Sequence, residues 1–556
     1  MAALSIAVRP SPIQIARAAA AAMPSEVSTR PLLGILGVVM GAGVVTLTSR
    51  MISLGLADFK GVHGFGYDEG AWIGTAFDIG LMFIGPFTVF LGGLMGPRRI
   101  LLAAAAIFTV LLIFLPLVHS YSLVIAMVLL SGLTSGTFYP LTLTFALRNI
   151  PLRYLPYTIA LYATSVDGAV NIAPSLYGWY RDHLSSNWMF WNSALMTPLM
   201  MICIYYGIPK ARSAKKSGEA PSFAGFLYAS TGLAMLLAAC EQGERLDWWR
   251  SGVFNALFAG GTFFLLSALI RRLRRPNPLV ALPYLLKRNT MLLGTLLFWF
   301  RFTLCTTIIL VPQALAIRGF EPDQIGPAII WSALPLIPLA FTAALLLLRK
   351  FDPRLLLAIG LTCTASAAWL NSQYSSTWAA ENFYRTELLT GVGQAFAFIG
   401  LVGCIVLQAI FAGALAKPEW VLTFSAFFHT VRIFGGTAGA IYMGHFIARR
   451  EKLHSNLLGL HVSSGDWITS LNVHAMTAGL YPKSSGIAVA GARTIDLIAA
   501  RLRLQAYSLS INDGFLLIAW SCACALIFVA LLRRSPLDYG DLSAQQPIPA
   551  SARESK

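Results

Sequence analysis

The sequence predicts an all-α polytopic membrane protein, and three observations carry that expectation. Apolar stretches close to bilayer length recur about fourteen times, and roughly 20 apolar residues of helix cross a hydrocarbon core about 30 Å thick. The chain is 56% hydrophobic and only 12% charged, too little polar surface for a soluble chain of 556 residues. The breaks between the stretches are short and rich in charge, Gly or Pro. Inside lipid only helices and closed barrels satisfy the backbone's own polar groups.

The expected spans lie at 32–56, 70–95, 100–118, 123–147, 157–180, 188–208, 223–240, 252–270, 290–317, 324–348, 355–374, 387–412, 423–447 and 514–532. An even number puts both termini on one side. The loops after the even-numbered spans hold roughly eighteen Lys/Arg, among them Lys210–Lys216, Arg271–Arg275 and Arg349/Lys350, against roughly six in the other short loops. That bias places both termini in the cytoplasm of an inner-membrane protein. The long segment 448–513 then faces outward. It carries apolar residues at helical spacing around Glu451–Leu460 and Thr494–Leu509, which read either as amphipathic helices lying on the membrane or a partner, or as a folded cap.

The net charge of +17 follows largely from this loop asymmetry. A nucleic-acid partner is not expected, because the basic residues are dispersed over loops rather than gathered in one patch. Cys203, Cys240, Cys305, Cys363, Cys404, Cys522 and Cys524 all fall in or at the ends of spans, so no disulfide framework and no metal site is expected. Pro10 and Pro12 interrupt the Ala-rich first 30 residues, so the first span is the expected targeting signal rather than a cleaved leader. An enzyme is not expected: the chain offers no nucleophile–base pair, ligand cluster or phosphate loop, and Gly64-Phe-Gly66 is too short a signal for a nucleotide.

Six spans, a basic loop, two spans, a second basic loop and six spans suggest two six-helix halves around a central path, the architecture of alternating-access transporters. Local motifs sharpen this reading. Glu241-Gln-Gly-Glu-Arg-Leu-Asp-Trp-Trp-Arg-Ser251, Asn277-Pro-Leu-Val with Lys287-Arg-Asn289, Val311-Pro-Gln313 with Gly319-Phe320, and Arg432-x-x-Gly-Gly436 with Gly439 occur in that order. Together they resemble the fourteen-helix drug:proton antiporters of the major facilitator superfamily, the EmrB/QacA type. The resemblance implies the major facilitator fold with two extra central helices. Residues 1–30 are then an N-terminal tail, 31–209 the first bundle, 210–289 the two linker spans, 290–534 the second bundle and 535–556 a C-terminal tail. It also implies no cofactor beyond the proton gradient, a small-molecule substrate, and in Gram-negative cells a periplasmic adaptor with an outer-membrane channel. The chain departs from the pattern in three places. Leu47-Thr-Ser-Arg50 lacks the family's first-span Asp, Val128 stands near its fourth-span Arg, and the basic motif after the second span is reduced to Gly96-Pro-Arg-Arg99.

A charge near the bilayer centre costs about 2.5–3.5 kcal/mol on insertion scales, so intramembrane charges are functional candidates. They are Arg50, Asp78, Asp167, Arg301 and Arg432, with His429 one turn before Arg432 and Glu387 at the mouth of the twelfth span. Asp78 and Asp167 with Arg50 form the expected proton switch, because a carboxyl with a nearby movable cation exchanges its proton between two aqueous sides. A static ion pair neutralising Arg50 is the other reading. Arg301 sits in Phe298-Trp-Phe-Arg-Phe302, so Arg301 and Trp299 are expected in a substrate cavity by charge and stacking. Helix carbonyls are the alternative partners of Arg301. Glu387, His429 and Arg432 complete the candidate cavity, although a histidine between helices often serves packing alone. Gly132-x-x-x-Gly136 and Gly435-Gly436 with Gly439 allow close helix approach.

The expected activity is efflux of small amphipathic or hydrophobic compounds in exchange for protons. Alternatives are export of one endogenous anionic metabolite, such as a fatty or aromatic acid, and a non-transporting membrane sensor or scaffold. Topology is directly testable. Reporter tags at positions 215 and 545 should report the cytoplasm and a tag at 465 the outer side; agreement between 215 and 465 would exclude this arrangement, because an odd number of spans separates them.

Overall fold

In the computed structural model the chain is described at residue 28 and over 30–210, 223–274, 285–411, 418–463, 465–536 and 538–544. Most of the basic loop Lys210–Lys216, the Asn277 motif and most of both terminal tails lie outside the described residues. The first helices are α1 (Pro31–His63), α2 (Tyr67–Met95), α3 (Pro97–Phe114), α4 (Tyr121–Ser135), α5 (Phe138–Arg148), α6 (Leu155–His183) and α7 (Trp188–Gly207). Two follow that stand between the halves, α8 (Phe223–Gly243) and α9 (Gly252–Leu273). The rest are α10 (Arg288–Thr303), α11 (Val311–Ala316), α12 (Pro322–Ala333), α13 (Leu336–Leu348), α14 (Pro353–Asn371), α15 (Tyr384–Phe411), α16 (Pro418–Gly459), α17 (Trp467–Leu480), α18 (Ile487–Leu531) and α19 (Tyr539–Ala544).

Eleven helices among the described residues are long and apolar enough to cross a membrane, against the fourteen expected crossings. Helices α2, α6 and α16 are outside those eleven, although each has 29 residues or more. They are the helices that carry Asp78, Asp167 and the His429/Arg432 pair.

Three spans read as continuous from the sequence are broken. The fourth divides at Gly136 into α4 and α5. The tenth divides before Leu336, where Pro335 cannot donate the backbone bond that would continue α12. The ninth passes from α10 through a π-helical turn at Thr306–Leu310 into α11. Such turns leave backbone groups without a regular partner and often mark functional positions.

The halves meet along α6 against α12, α13 and α15, and along α2 against α16. At one end of α6 the approach is backbone to backbone. A Cβ on Gly178 would lie 2.8 Å from Asp323 Cα, and one on Gly326 would lie 2.5 Å from Ser175 Cα. Arg181 at the same end reaches Glu321 at 2.6 Å and Asp323 at 3.6 Å. Glu321 is 67% exposed along its side chain, so the ion pair contributes at most ~1 kcal/mol. The small-residue packing dominates this closure.

Residues around 451–460 and 494–509 do not form separate short helices but belong to two long ones. Helix α16 runs 42 residues and α18 runs 45, about 63 and 68 Å at ~1.5 Å per residue, so each rises far beyond a bilayer core of ~30 Å. Helix α17, which the hydrophobic spacing did not single out, spans the tip, where Asp466 caps its N-terminus by accepting from Thr469 N at 3.0 Å. Asp513 binds Arg450 at 2.6 Å and His454 at 2.7 Å, clamping the two long helices together.

Gly326→Val should splay the α6/α12 end, seen as longer and broader distances between spin labels at the exposed positions 184 and 330. Arg181→Ala should leave that distribution almost unchanged. Equal effects would mean that the ion pair, not the packing, holds this end.

Candidate functional site: a charged core beside an apolar cavity

The Arg432-x-x-Gly-Gly-x-x-Gly motif has a direct physical reading. Gly435, Gly436 and Gly439 clear one face of α16, and Phe298, Arg301 and Phe302 of α10 fill it; a Cβ on Gly436 would lie 3.1 Å from Arg301 Nη2. Small residues thereby let a guanidinium lie between two closely packed helices. Arg301 Nε and Nη1 are buried without a hydrogen-bond partner, and Asp167 of α6 is the carboxylate within its electrostatic reach. Asp167 is fully buried, and neither of its oxygens accepts a hydrogen bond.

Arg432, not Arg301, makes the cation–π contact. Its guanidinium carbon lies 3.6 Å from the Tyr139 ring centroid, and Tyr139 stacks edge-on against Tyr162 at 5.2 Å. His429 is held between helices, as in the plainer reading of it: Nε2 donates to the Leu81 carbonyl of α2 at 3.3 Å. His429, Arg432, Tyr139 and Tyr162 line a small cavity of about 40 Å³ with Leu297, Phe398 and Phe428. A chain of polar contacts crosses between the halves nearby. Asn171 donates to Gln394 at 2.7 Å, and Gln394 donates to Thr307 at 3.4 Å.

Four expectations need correction. Arg50 does not pair with a carboxylate of its own bundle; its Nη2 donates to the Ile308 carbonyl at 3.2 Å, in the π-turn of the opposite half. That turn supplies an acceptor that sequence periodicity does not show. Asp78 and Asp167 do not pair with Arg50: Asp78 lies within electrostatic reach of Glu241 of α8 and of Arg432, while Asp167 lies within that of Arg301. Trp299 does not share a cluster with Arg301, because residues two apart on a helix point about 200° away from each other. Its ring packs on Phe528 of α18 at 4.8 Å. Glu387 is not at an open mouth. It is fully buried, both oxygens lack partners, and it lines neither of the two cavities described here.

A larger cavity takes in Trp299, one of the residues expected in a substrate cavity, but not Arg301. It holds about 970 Å³ and is lined by Cys240 of α8 and Trp248 just after it, by Met291, Phe298, Trp299 and Phe302 of α10, and by Tyr442 and His445 of α16. Met291, Phe298 and Tyr442 are exposed, so the cavity opens on the flank of the bundle. Its rim follows from the Asp-Trp-Trp motif. Asp247 and Trp248 take left-handed φ values of 59° and 50°, and this tight turn folds Trp248 back over Gly243. Glu241, which the sequence placed at the exit of a span, lies one residue from the cavity-lining Cys240. The described residues contain no group of three or more potential metal ligands, and all seven cysteines are free.

Comparison with known proteins agrees with this geometry. Over 481 residues, the chain is 23% identical to the probable multidrug resistance protein EmrY of Escherichia coli K12, covering 84% of this chain and 89% of that protein. It is 22% identical to the fatty acid resistance protein FarB of Neisseria gonorrhoeae, covering 87% and 92%. The fold is similar to that of the proton:xylose symporter XylE, with a TM-score of 0.56 over 93% of this chain and 99% of that one at 10% identity. The sequence profile of the Major Facilitator Superfamily matches residues 38–440. The chain belongs to the major facilitator superfamily.

Proposed function

We propose that this multi-pass membrane protein exports small amphipathic or hydrophobic compounds across the inner membrane in exchange for protons, with both termini in the cytoplasm. The flank cavity is the observation that carries the reading. At about 970 Å³ with mainly apolar walls it suits a drug-sized molecule entering from the lipid. The charged core behind it supplies polarity where the cargo crosses between halves. The relatives named for multidrug resistance support the same reading. The proton gradient is the energy source and no cofactor takes part. Each charge moved across 100 mV is worth about 2.3 kcal/mol.

In this reading Asp167 exchanges the coupling proton and Arg301 responds to it. A carboxyl with no hydrogen-bond partner, facing one guanidinium, is free to hold or release a proton as the halves rock. Arg50 joins the cycle through its cross-half bond to Ile308, which has to break when the halves separate. A narrower reading is export of one anionic metabolite, with the guanidinium groups of Arg50, Arg301 and Arg432 as the contacts for its charge. The relative named for fatty acid resistance is in keeping with it.

The protruding hairpin of α16, α17 and α18 is the proposed seat of a periplasmic adaptor with an outer-membrane channel. Trp467 and Ile468 expose 76% and 66% of their surface there, well beyond the length of a bilayer core.

Two experiments check the reading. In proteoliposomes with an imposed pH gradient, Asp167→Asn should lose gradient-driven efflux while keeping cargo binding; wild-type efflux by this variant would remove Asp167 from coupling. A purely structural Asp167 predicts instead low abundance, since an unpaired buried charge costs about 3–5 kcal/mol. In the same system Arg301→Gln should lose anionic cargo selectively if the narrower reading holds, and all cargo equally if it does not. Trp467→Ser with Ile468→Ser should abolish resistance in cells yet leave proteoliposome transport intact; resistance equal to wild type would remove the hairpin as a docking seat.

A further inference from the structure

Helix α19 is short, yet it is docked. Tyr539 and Leu542 are only 2% and 1% exposed, and a six-residue helix buries two such side chains only by packing on other elements. It packs against α13 of the second half and against the 3-10 turn Leu152–Tyr154, which leads into α6 of the first half. That turn lies at the opposite end of α6 from Gly178, about 35 Å away along the helix at 1.5 Å per residue. The halves are therefore bridged at both ends of α6. Gly178 and Gly326 meet the facing backbone at one end, and α19 rests on the turn at the other.

The polar contacts of α19 show which half carries it. The Tyr539 hydroxyl donates to the Gly403 carbonyl of α15 at 2.7 Å, inside the protein. Gly540 lies so close to α13 that a Cβ there would stand 2.7 Å from the Leu348 carbonyl oxygen. Asp541 pairs with Lys350, just beyond α13, at 2.6 Å. The connection from α18 is held in the same way. Arg354 of α14 donates to the Leu532 carbonyl at 2.7 Å and pairs with Asp352 at 2.6 Å. Arg534 lies 3.8 Å from Asp352 and 3.7 Å from Asp538. All of these partners belong to the second half or to its tail.

We propose that α19 is a latch: fixed to the second half, it docks on the 152–154 turn of the first half and keeps this end of the molecule shut until it leaves that turn. Transporters built of two bundles open a central path by rocking one bundle against the other. Parting the halves at this end pulls α19 off the turn, because its hydrogen bond, its ion pair and its backbone contact all stay with α13, α15 and Lys350. The cavity around His429 and Arg432 holds about 40 Å³, too little for a drug-sized molecule while both ends are closed. Passage through the middle of the bundle therefore requires one closure to release, and at this end the closure includes α19. The inference needs the rocking of the halves and not the export reading. With the orientation proposed above, the latch shuts the cytoplasmic mouth of the path.

Distances between spin labels in the full-length protein in lipid nanodiscs test the latch without any cargo, so the outcome stands apart from the export reading. Labels at the exposed positions 99, at the start of α3, and 349, just after α13, report the latched end. Labels at 184 and 330 report the other end. Leu542→Asp should add a longer-distance population to the 99/349 pair and leave the 184/330 pair narrow. An unchanged 99/349 distribution in the folded variant overturns the proposal. So does equal broadening of both pairs, which makes α19 a prop for the whole bundle. A third label at 543 shows which half carries the helix: 99/543 should lengthen together with 99/349 while 349/543 stays short, and the reverse overturns the assignment. Should Leu542→Asp fail to fold, Tyr539→Phe takes its place. It keeps the ring and removes only the bond to Gly403, and an unchanged 99/349 distribution in that variant overturns the latch.

Discussion

A guanidinium buried in the interior of a helical bundle is the constraint around which this molecule is arranged. Each such charge costs about 2.5–3.5 kcal/mol to place near a bilayer centre unless the protein compensates it. The three arginines of the core are compensated in three ways. Arg50 finds a backbone carbonyl released by a π-turn, Arg432 lies on the face of Tyr139, and Arg301 occupies a glycine groove opposite Asp167. None of the three has a carboxylate within ion-pair distance among the described residues. That incompleteness is what a moving core requires, because a fully paired charge is expensive to separate.

The same economy governs how the halves touch. At the α6/α12 end they meet through Gly178 and Gly326 with backbone in contact, a surface that slides or parts without stranding a charge. Deeper in, the cross-half links are single hydrogen bonds: Asn171 to Gln394, Arg50 to Ile308, His429 to Leu81. Each is worth about 0.5–1.5 kcal/mol net, rising to roughly 3 where a charged group takes part. Bonds of that size hold one arrangement in place and yield to the differential affinity of a bound molecule.

The two features that set this chain apart from a plain twelve-helix bundle lie at opposite ends of the same problem. Helix α8 brings an acid, Glu241, to the seam between the halves. The extended α16 and α18 lengthen one end of the C-terminal bundle into a clamped hairpin, tied by Asp513 to Arg450 and His454. Both use ordinary helix geometry, and neither adds a separate domain. The hairpin leaves Trp467 and Ile468 exposed at its tip.

Much of the fold was legible in the sequence, because the bilayer imposes a length and a polarity on every crossing. The boundaries of α1, α7, α9 and α14 fall within a few residues of the apolar stretches, apart from extensions at the helix ends. The Gly-Gly-x-x-Gly motif likewise announced a close helix contact. The site was legible only as a set of charges. Residue types told that Arg50, Asp78, Asp167, Arg301 and Arg432 needed partners, but the partners were decided in three dimensions. Ile308 accepts from Arg50 because a π-turn, invisible to a 3.6-residue period, turns its carbonyl aside. Glu241 passed for a residue at a span exit because α8 packs against α2 and α16, segments far apart along the chain. Trp299 and Arg301, two residues apart, read as one cluster, yet a rotation of about 200° around the helix sends them to different sides. Hydrophobic burial in lipid is a local property of a segment, and the sequence determines it. Which polar group meets which is a property of the packed bundle, and only the tertiary structure decides it.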